Sequence, residues 1–152
     1  MGGQNQYIET GGFSEYLYEQ IGKTVHMNGL TGKMIKLKTD KDGTHTGLPS
    51  FSNTSDVYFR KGKDGLACQA KAYESRKMII DFDWSHKHIN TSDGRTFPKG
   101  IVHVQRYKYL GKDENGKVIY KRLSGEARLM NNAEMKKYGA LIKKFNPNVK
   151  FR

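Results

Sequence analysis

The chain has 152 residues, of which 36% are hydrophobic and 28% charged, proportions that indicate one folded domain and exclude an intrinsically disordered chain. Its 27 lysines and arginines outnumber 15 aspartates and glutamates, and the resulting net charge of +12 favours anionic partners such as a phosphate backbone. The single cysteine, Cys68, excludes an intrachain disulfide and a cysteine-rich zinc site.

The first residues contain neither a basic n-region nor an apolar h-region, so no ordinary secretory signal is expected. No apolar run approaches about 18 residues, so we expect no transmembrane segment and no membrane partner. The sequence therefore does not define the localisation. If the protein is exported, it would use a specialised secretion route that no segment of the sequence indicates.

Residues 1–56 are rich in Gly, Ser, Thr and Asn, and we expect them to form an irregular segment packed on the same domain. Apolar side chains at helical spacing predict a short helix over residues 13–21, which Gly22 would end. Residues 32–38 alternate between apolar and basic side chains, which is typical of a strand.

From residue 57 the alternation becomes regular, and it predicts strands over residues 57–60, 66–73, 77–83, 100–109 and 117–122. A helix then follows a capping-box pattern at Asn131–Glu134, and Asn146-Pro147 would end it. The predicted fold is a single α+β domain, with a small antiparallel sheet and helices near both ends of the chain. Residues 57–152 would form the core that carries a functional site.

Three of the five histidines lie between residues 81 and 104, together with the only tryptophan. If the segment after residue 83 is extended, His86 and His88 point to the same side, because residues two apart share a face. A turn at residues 98–100 would bring His103 alongside them. We therefore predict that these three imidazoles meet at one edge of the sheet. Histidine is the side chain whose unperturbed pKa lies nearest to physiological pH, so such a group suits proton transfer.

Two chemistries fit such a cluster. In metal-free RNA cleavage, one histidine takes the proton of the 2′-hydroxyl, another protonates the leaving oxygen, and Arg95 or Lys99 stabilises the phosphorane. In metal-assisted hydrolysis, two or three of the imidazoles with Asp81 or Asp83 hold a divalent ion that activates water. The first chemistry needs no cofactor, and none is predicted for it.

The neighbouring residues are candidates for binding the substrate. Trp84 and Phe97 would stack on bases, and Arg106 and Lys108 would hold phosphates. Each also has an ordinary structural interpretation: a tryptophan at a strand end commonly packs in a core, basic residues on a strand commonly face water, and each histidine alone is as well explained by a surface role.

The pattern Asp81-Phe-Asp-Trp with a following histidine, then Phe97-Pro-Lys-Gly-Ile-Val-His-Val104 and a final helix before Asn146-Pro-Asn-Val149, resembles the ends of phage-encoded and polymorphic-toxin proteins. Several of these are grouped with the barnase–EndoU–colicin–RelE superfamily of small ribonucleases. The resemblance covers residues 76–149. It implies a metal-independent ribonuclease with catalytic roles for His86, His88 and His103, and with Arg95 or Lys99 as the phosphate cation. The His-x-His expected on the last strand is here His103-Val104-Gln105.

We therefore expect a basic effector or toxin domain of a bacterium or phage that cleaves RNA, with His103 and either His86 or His88 as the acid–base pair. Such a protein would act in a target cytoplasm and would need an acidic immunity partner to protect its producer. Two other functions stay open: a non-enzymatic nucleic-acid- or protein-binding module, such as a phage structural protein, and a metal-dependent nuclease.

Overall fold

The computed structural model describes residues 6–9, 17–123 and 125–152. Eleven strands and one helix lie in these ranges: β1 Gln6–Glu9, β2 Tyr18–Met27, β3 Leu30–Leu37, β4 Val57–Lys61, β5 Ala67–Glu74, β6 Lys77–Asp83, β7 His88–Ile89, β8 Thr96–Phe97, β9 His103–Lys112, β10 Val118–Arg122, β11 Arg128–Leu129 and α1 Asn132–Phe145. No helix within these ranges is long and apolar enough to span a membrane.

Most of the strands form one sheet in the order β1-β10-β9-β6-β5-β4-β3-β2, and β11 pairs separately with β9. All of these pairs are antiparallel except β3 with β4, which run parallel. A separate two-stranded sheet, β7 with β8, is inserted between β6 and β9. The site-bearing histidines therefore lie on the insertion or directly next to it.

Helix α1 covers one face of the sheet. It begins with a capping box, in which the Asn131 side chain accepts from the Glu134 N–H and the Glu134 carboxylate accepts from the Asn131 N–H. On the sheet side, the Phe145 ring stacks on Phe59 at 4.0 Å between centroids, and Tyr138 packs edge-on against Phe82. These aromatic contacts fix the helix on the central strands.

The opposite face has its own apolar core, which the segment 38–56 covers. Tyr58 alternates with Val57 and Phe59 along β4, so its ring lies on the second face, where it packs edge-on against Tyr73. The covering segment contributes buried Leu48, and the Ser50 carbonyl accepts a hydrogen bond from the Tyr120 hydroxyl. Each face of the central sheet is thus covered by a different part of the chain.

The predicted α+β fold with helices near both ends is wrong. The molecule is mostly β, and β2 occupies the second half of the predicted helix 13–21, whose first half lies outside the described residues. The physical reason is the turn at Asn28-Gly29, where both residues have positive φ angles of 54° and 78° and close a hairpin between β2 and β3. Cross-strand pairing in that hairpin overrides the helical spacing. The predicted C-terminal helix and the predicted strands from residue 57 onward are confirmed.

Candidate functional site

The three histidines singled out in the sequence lie together in the structure. The ring centroids of His88 and His103 are 4.9 Å apart with nearly parallel planes. His86 lies 6.0 Å from His103 and 6.5 Å from His88, with its ring turned across both. We refer to these three residues as the histidine cluster.

Strand pairing explains how the cluster is assembled. The register of β6 with β9 places Asp83 directly opposite His103. After β6, the Trp84 carbonyl accepts a hydrogen bond from the Gly100 N–H at 3.0 Å, which closes the base of the β7–β8 hairpin. Because this hairpin folds back over the end of the sheet, His88 in β7 is carried onto His103.

His86 is oriented by a short hydrogen-bonded chain. The Ser85 hydroxyl donates to Asp83 Oδ1 at 2.7 Å, so its oxygen is left to accept from His86 Nδ1, 2.8 Å away. His86 Nδ1 is also 3.6 Å from Asp83 Oδ1, and the side chain is 60% exposed. The carboxylate therefore favours a proton on Nδ1 and leaves Nε2 as the nitrogen that can exchange a proton with a substrate.

His88 is oriented by an amide. Asn90 Nδ2 donates to the Ala127 carbonyl at 2.7 Å, which identifies Oδ1 as the atom that faces His88 Nε2 at 2.8 Å. An amide oxygen only accepts, so Nε2 carries the proton and Nδ1 is the basic nitrogen of the neutral ring. His86 and His88 thus each have one anchored nitrogen and one that is not anchored by these contacts.

His103 has a different environment, since it is only 5% exposed and its Nδ1 is buried without a hydrogen-bond partner among the described residues. Burial lowers the pKa of this imidazole, and the nearby Asp83 carboxylate opposes the change only in part. The ring is therefore neutral at pH 7 and supports His88 from beneath.

Phe97 and Arg95 border the cluster. The centroid of the Phe97 ring is 5.6 Å from that of His103 and 6.1 Å from that of His88, so the three rings pack as a triangle. The Arg95 guanidinium lies over the outer part of this group, 5.3 Å from the Phe97 centroid. Phe97 is buried, and its observed role is packing rather than presenting an open face to a base.

A row of polar residues crosses the sheet beneath the cluster, and sequence reasoning missed most of it. Arg60, Gln69, Asp83 and His103 are successive partners across β4, β5, β6 and β9. The adjacent row contains Lys71, Asp81 and Gln105, and Gln69 donates to Asp81 at 3.0 Å. Burial raises the pKa of Asp81 despite the neighbouring Lys71 ammonium. Polar side chains at alternating positions of β5 were the sequence signal of this row.

Glu126 is a second residue near the cluster that was not predicted from the sequence. Its carboxylate accepts hydrogen bonds from the Thr91 N–H, the Thr91 hydroxyl and the Ser92 N–H, at 2.8, 2.9 and 2.7 Å. These bonds, led by the Thr91 N–H, lower the pKa of Glu126 to about 2. The carboxylate therefore stays ionised at any ordinary pH and holds the loop between β7 and β8.

A cavity of about 530 Å³ opens on the other side of Ser85. Arg60, Lys63 and Lys99 contribute cations to its lining, and Trp84 contributes an apolar wall. Lys99 is thus placed in this cavity. Burial raises the pKa of the Cys68 thiol, which also lines the cavity, so the thiol is protonated and is a poor nucleophile.

The other predicted binding residues are not brought to the cluster. Trp84 is buried and its Nε1 donates to the Ala67 carbonyl at 2.9 Å. The Arg106 guanidinium lies 3.2 Å from the Glu134 carboxylate and forms a salt bridge with it, so Arg106 is engaged within the protein. Lys108 is exposed, five residues along β9 from His103, which is about 17 Å in an extended strand.

The donor atoms of the cluster do not converge as a set of three metal ligands. In the described part of the chain, the one set of three His, Cys, Asp or Glu ligand atoms that converge within 4.8 Å is Asp40, Asp42 and His45, in the loop after β3. His86, His88, His103, Asp81 and Asp83 contain no such set. The geometry therefore fits proton transfer by the imidazoles better than joint coordination of an ion.

Comparisons of the chain with protein-family models, with curated proteins and with solved structures gave no match.

Proposed function

We propose that this protein is a metal-independent ribonuclease that cleaves RNA by transesterification at the histidine cluster. The observation that supports the proposal is that His86 and His88 each have one nitrogen anchored by a fixed partner, while their rings lie 6.5 Å apart. Two oriented imidazoles at this separation can both hydrogen-bond to one phosphodiester, since each such bond spans about 2.8 Å.

In the proposed reaction, one of the two rings is neutral and takes the proton of the RNA 2′-hydroxyl. The 2′-oxygen then attacks phosphorus, the bond from phosphorus to the 5′-oxygen breaks, and the other ring, in its protonated form, gives a proton to that oxygen. The products are a 2′,3′-cyclic phosphate and a free 5′-hydroxyl. Arg95 lies at the border of the cluster and supplies a cation for the charge that develops on the phosphoryl oxygens.

His103 takes a supporting role in this proposal, in place of the direct acid–base role expected from the sequence. It is buried, it packs against His88 at 4.9 Å, and its depressed pKa keeps it uncharged, so it does not repel the protonated ring. It is therefore a positioning residue.

The test compares the cleavage of three end-labelled substrates. The first is an RNA oligonucleotide, the second is DNA of the same sequence, and the third is the RNA with no 2′-hydroxyl on the nucleotide at the cleavage site. We expect cleavage of the first substrate alone, unaffected by EDTA. His86→Ala and His88→Ala should each lower the rate by about 100- to 10,000-fold, the usual contribution of a general acid or base.

His26→Ala is the matched control, because His26 is an exposed histidine on β2, the edge strand farthest from the cluster along that side of the sheet. It should leave the rate unchanged. Cleavage of the DNA strand, loss of activity in EDTA, or full activity in both cluster variants would contradict the proposed mechanism. Salt-sensitive RNA binding without any cleavage would instead indicate a binding module.

A further inference from the structure

The cavity beside Ser85 has a composition that suits a specific class of ligand. Its volume of about 530 Å³ lies within the usual range for small-molecule sites. Trp84, Ala67 and Val149, which are all nearly fully buried, form its apolar wall. Among the described lining residues, Arg60, Lys63 and Lys99 supply three cations and Asp64 supplies one carboxylate. A planar apolar group that carries a negative charge matches this lining.

Among the cations that line the cavity, the Arg60 guanidinium is held in place by a hydrogen bond within the protein. Its Nη1 donates to the Thr44 carbonyl at 3.0 Å, which fixes the orientation of the group. Its Nε is buried and has no hydrogen-bond partner among the described residues. Because Nη1 is bonded to Thr44 and Nε is buried, a phosphate in the cavity would contact the Nη2 end of the guanidinium. Lys63 and Lys99 are exposed at the mouth of the cavity and add positive charge there.

Ser85 connects the cavity to the histidine cluster. Ser85 lines the cavity, and the same Ser85 hydroxyl is 2.8 Å from His86 Nδ1. A ligand in the cavity therefore lies one residue away from the ring that we assign to proton transfer.

We propose that this cavity is a nucleotide subsite, which holds the base and phosphate of the RNA nucleotide next to the scissile bond. This inference rests on the proposed ribonuclease function. The apolar wall accommodates the base, and Arg60, Lys63 and Lys99 bind the adjacent phosphate. Lys99, which the sequence suggested as a catalytic cation, acts instead on substrate binding.

Trp84 is the only tryptophan of the chain and lies in the cavity wall, so its fluorescence reports occupancy directly. The experiment titrates the protein with the four nucleoside monophosphates, with the corresponding nucleosides, and with inorganic phosphate. We expect monophosphates to bind more tightly than either fragment. Lys99→Gln should weaken monophosphate binding about tenfold, the effect of losing one charge-assisted hydrogen bond. Lys112→Gln, an exposed lysine at the far end of β9, is the control and should bind as the wild type does.

A second measurement tests whether the cavity binds a nucleotide of the RNA substrate or only free monophosphates. Lys99→Gln should raise KM for an RNA oligonucleotide long enough to reach the cavity, and leave KM unchanged for the minimal dinucleotide. Equal binding of inorganic phosphate and monophosphates would overturn the inference, because it would indicate an anion site without base recognition. Unchanged monophosphate binding in Lys99→Gln would overturn it as well.

These outcomes are independent of the ribonuclease test. The titrations are repeated in the His86→Ala, His88→Ala double variant, which should not cleave RNA but should still bind monophosphates as the wild type does. Failure of cleavage with retained Lys99-dependent binding would overturn the proposed function and still support a nucleotide-binding site in the cavity. Cleavage of RNA without Lys99-dependent binding of monophosphates would support the proposed function and overturn the subsite.

Discussion

His86, His88 and His103 are chemically identical side chains in three environments. A carboxylate and a hydroxyl orient His86, and an amide orients His88. His103 is buried, and its Nδ1 has no hydrogen-bond partner in the part of the chain that the structure describes. Buried imidazoles favour the neutral form, because removing the charged form from water is costly. The sequence identifies the three positions, but the difference between them arises only from their neighbours in the folded chain.

The burial of His103 predicts an acid-sensitive fold. Its pKa is lowered in the folded state by burial, so between that value and the ordinary value near 6.5 the unfolded chain binds more protons than the folded one. Stability is therefore fully present above about pH 6.5 and falls as the pH drops below it. His103→Phe removes the titrating group but keeps a flat ring, and should reduce this loss in urea unfolding measured between pH 7 and pH 5.

His26→Phe provides the comparison for this measurement, since His26 is exposed. It should keep the wild-type dependence of unfolding free energy on pH. If His103→Phe loses as much stability on acidification as His26→Phe does, burial of His103 is not the cause of the acid sensitivity.

At the level of elements, the β7–β8 hairpin is too small to be stable alone. It has two paired positions, His88 with Phe97 and Ile89 with Thr96. Its loop is held by Glu126, and Asn90 is tied to the Ala127 carbonyl. The segment just before β11 therefore fixes the hairpin that carries His88.

Glu126→Gln is expected to loosen this hairpin while leaving the main sheet intact. A neutral amide offers one acceptor oxygen where the carboxylate offers two, so the three bonds to Thr91 and Ser92 cannot all be kept. We expect kcat for RNA cleavage to fall about tenfold through misplacement of His88, with little change in Tm. Faster amide hydrogen exchange at Thr91 and Ser92 would show that the loop is the cause.

Glu114→Gln, an exposed glutamate in the turn between β9 and β10, is the matched control and should change neither exchange rate nor kcat. A Glu126→Gln variant with wild-type exchange at both amides would show that the carboxylate does not hold the loop.

Local patterns predicted those elements whose determinants are local. The strands from residue 57 follow alternating side chains, and α1 follows its capping box. Simple alternation also places Met78 on the same face as Ile80. In the structure, Ala72 pairs with Ile80 and Tyr73 with Met78, so Ile79 is an extra, unpaired residue and Met78 moves to the second core.

The parts of the site that depend on distant pairing could not be predicted. The spacing of His86 and His88 is visible in the sequence, but the row of Arg60, Gln69 and Asp83 depends on the register of three strands. Glu126 reaches a loop more than thirty residues earlier in the chain. Such contacts are set by the whole sheet, because register is a non-local property.

For the whole molecule, the helix and the sheet pack tightly at Gly32 in β3. A Cβ at this position would lie 3.0 Å from both Leu141 Cδ1 and Phe145 Cε2 of α1. Leu141 is fully buried, and Phe145 is stacked on Phe59. Neither side chain can move without disturbing the core, so the absence of a side chain at Gly32 is what lets α1 lie on this part of the sheet.

Gly32→Ala should therefore destabilise the protein by about 1–3 kcal/mol, the usual cost of overpacking, even though alanine suits a strand better than glycine does. In a chain of this size, each kcal/mol lowers Tm by about 2–4 °C.

Gly47→Ala is the matched control: Gly47 is an exposed loop residue and a Cβ there would meet nothing within 4 Å. The control should be neutral or slightly more stable, because alanine restricts the unfolded chain. Thermal unfolding of the two variants beside the wild type decides the matter. Equal Tm values for both variants would mean that Leu141 and Phe145 yield freely, and that tight helix–sheet packing at Gly32 does not limit the stability of the fold.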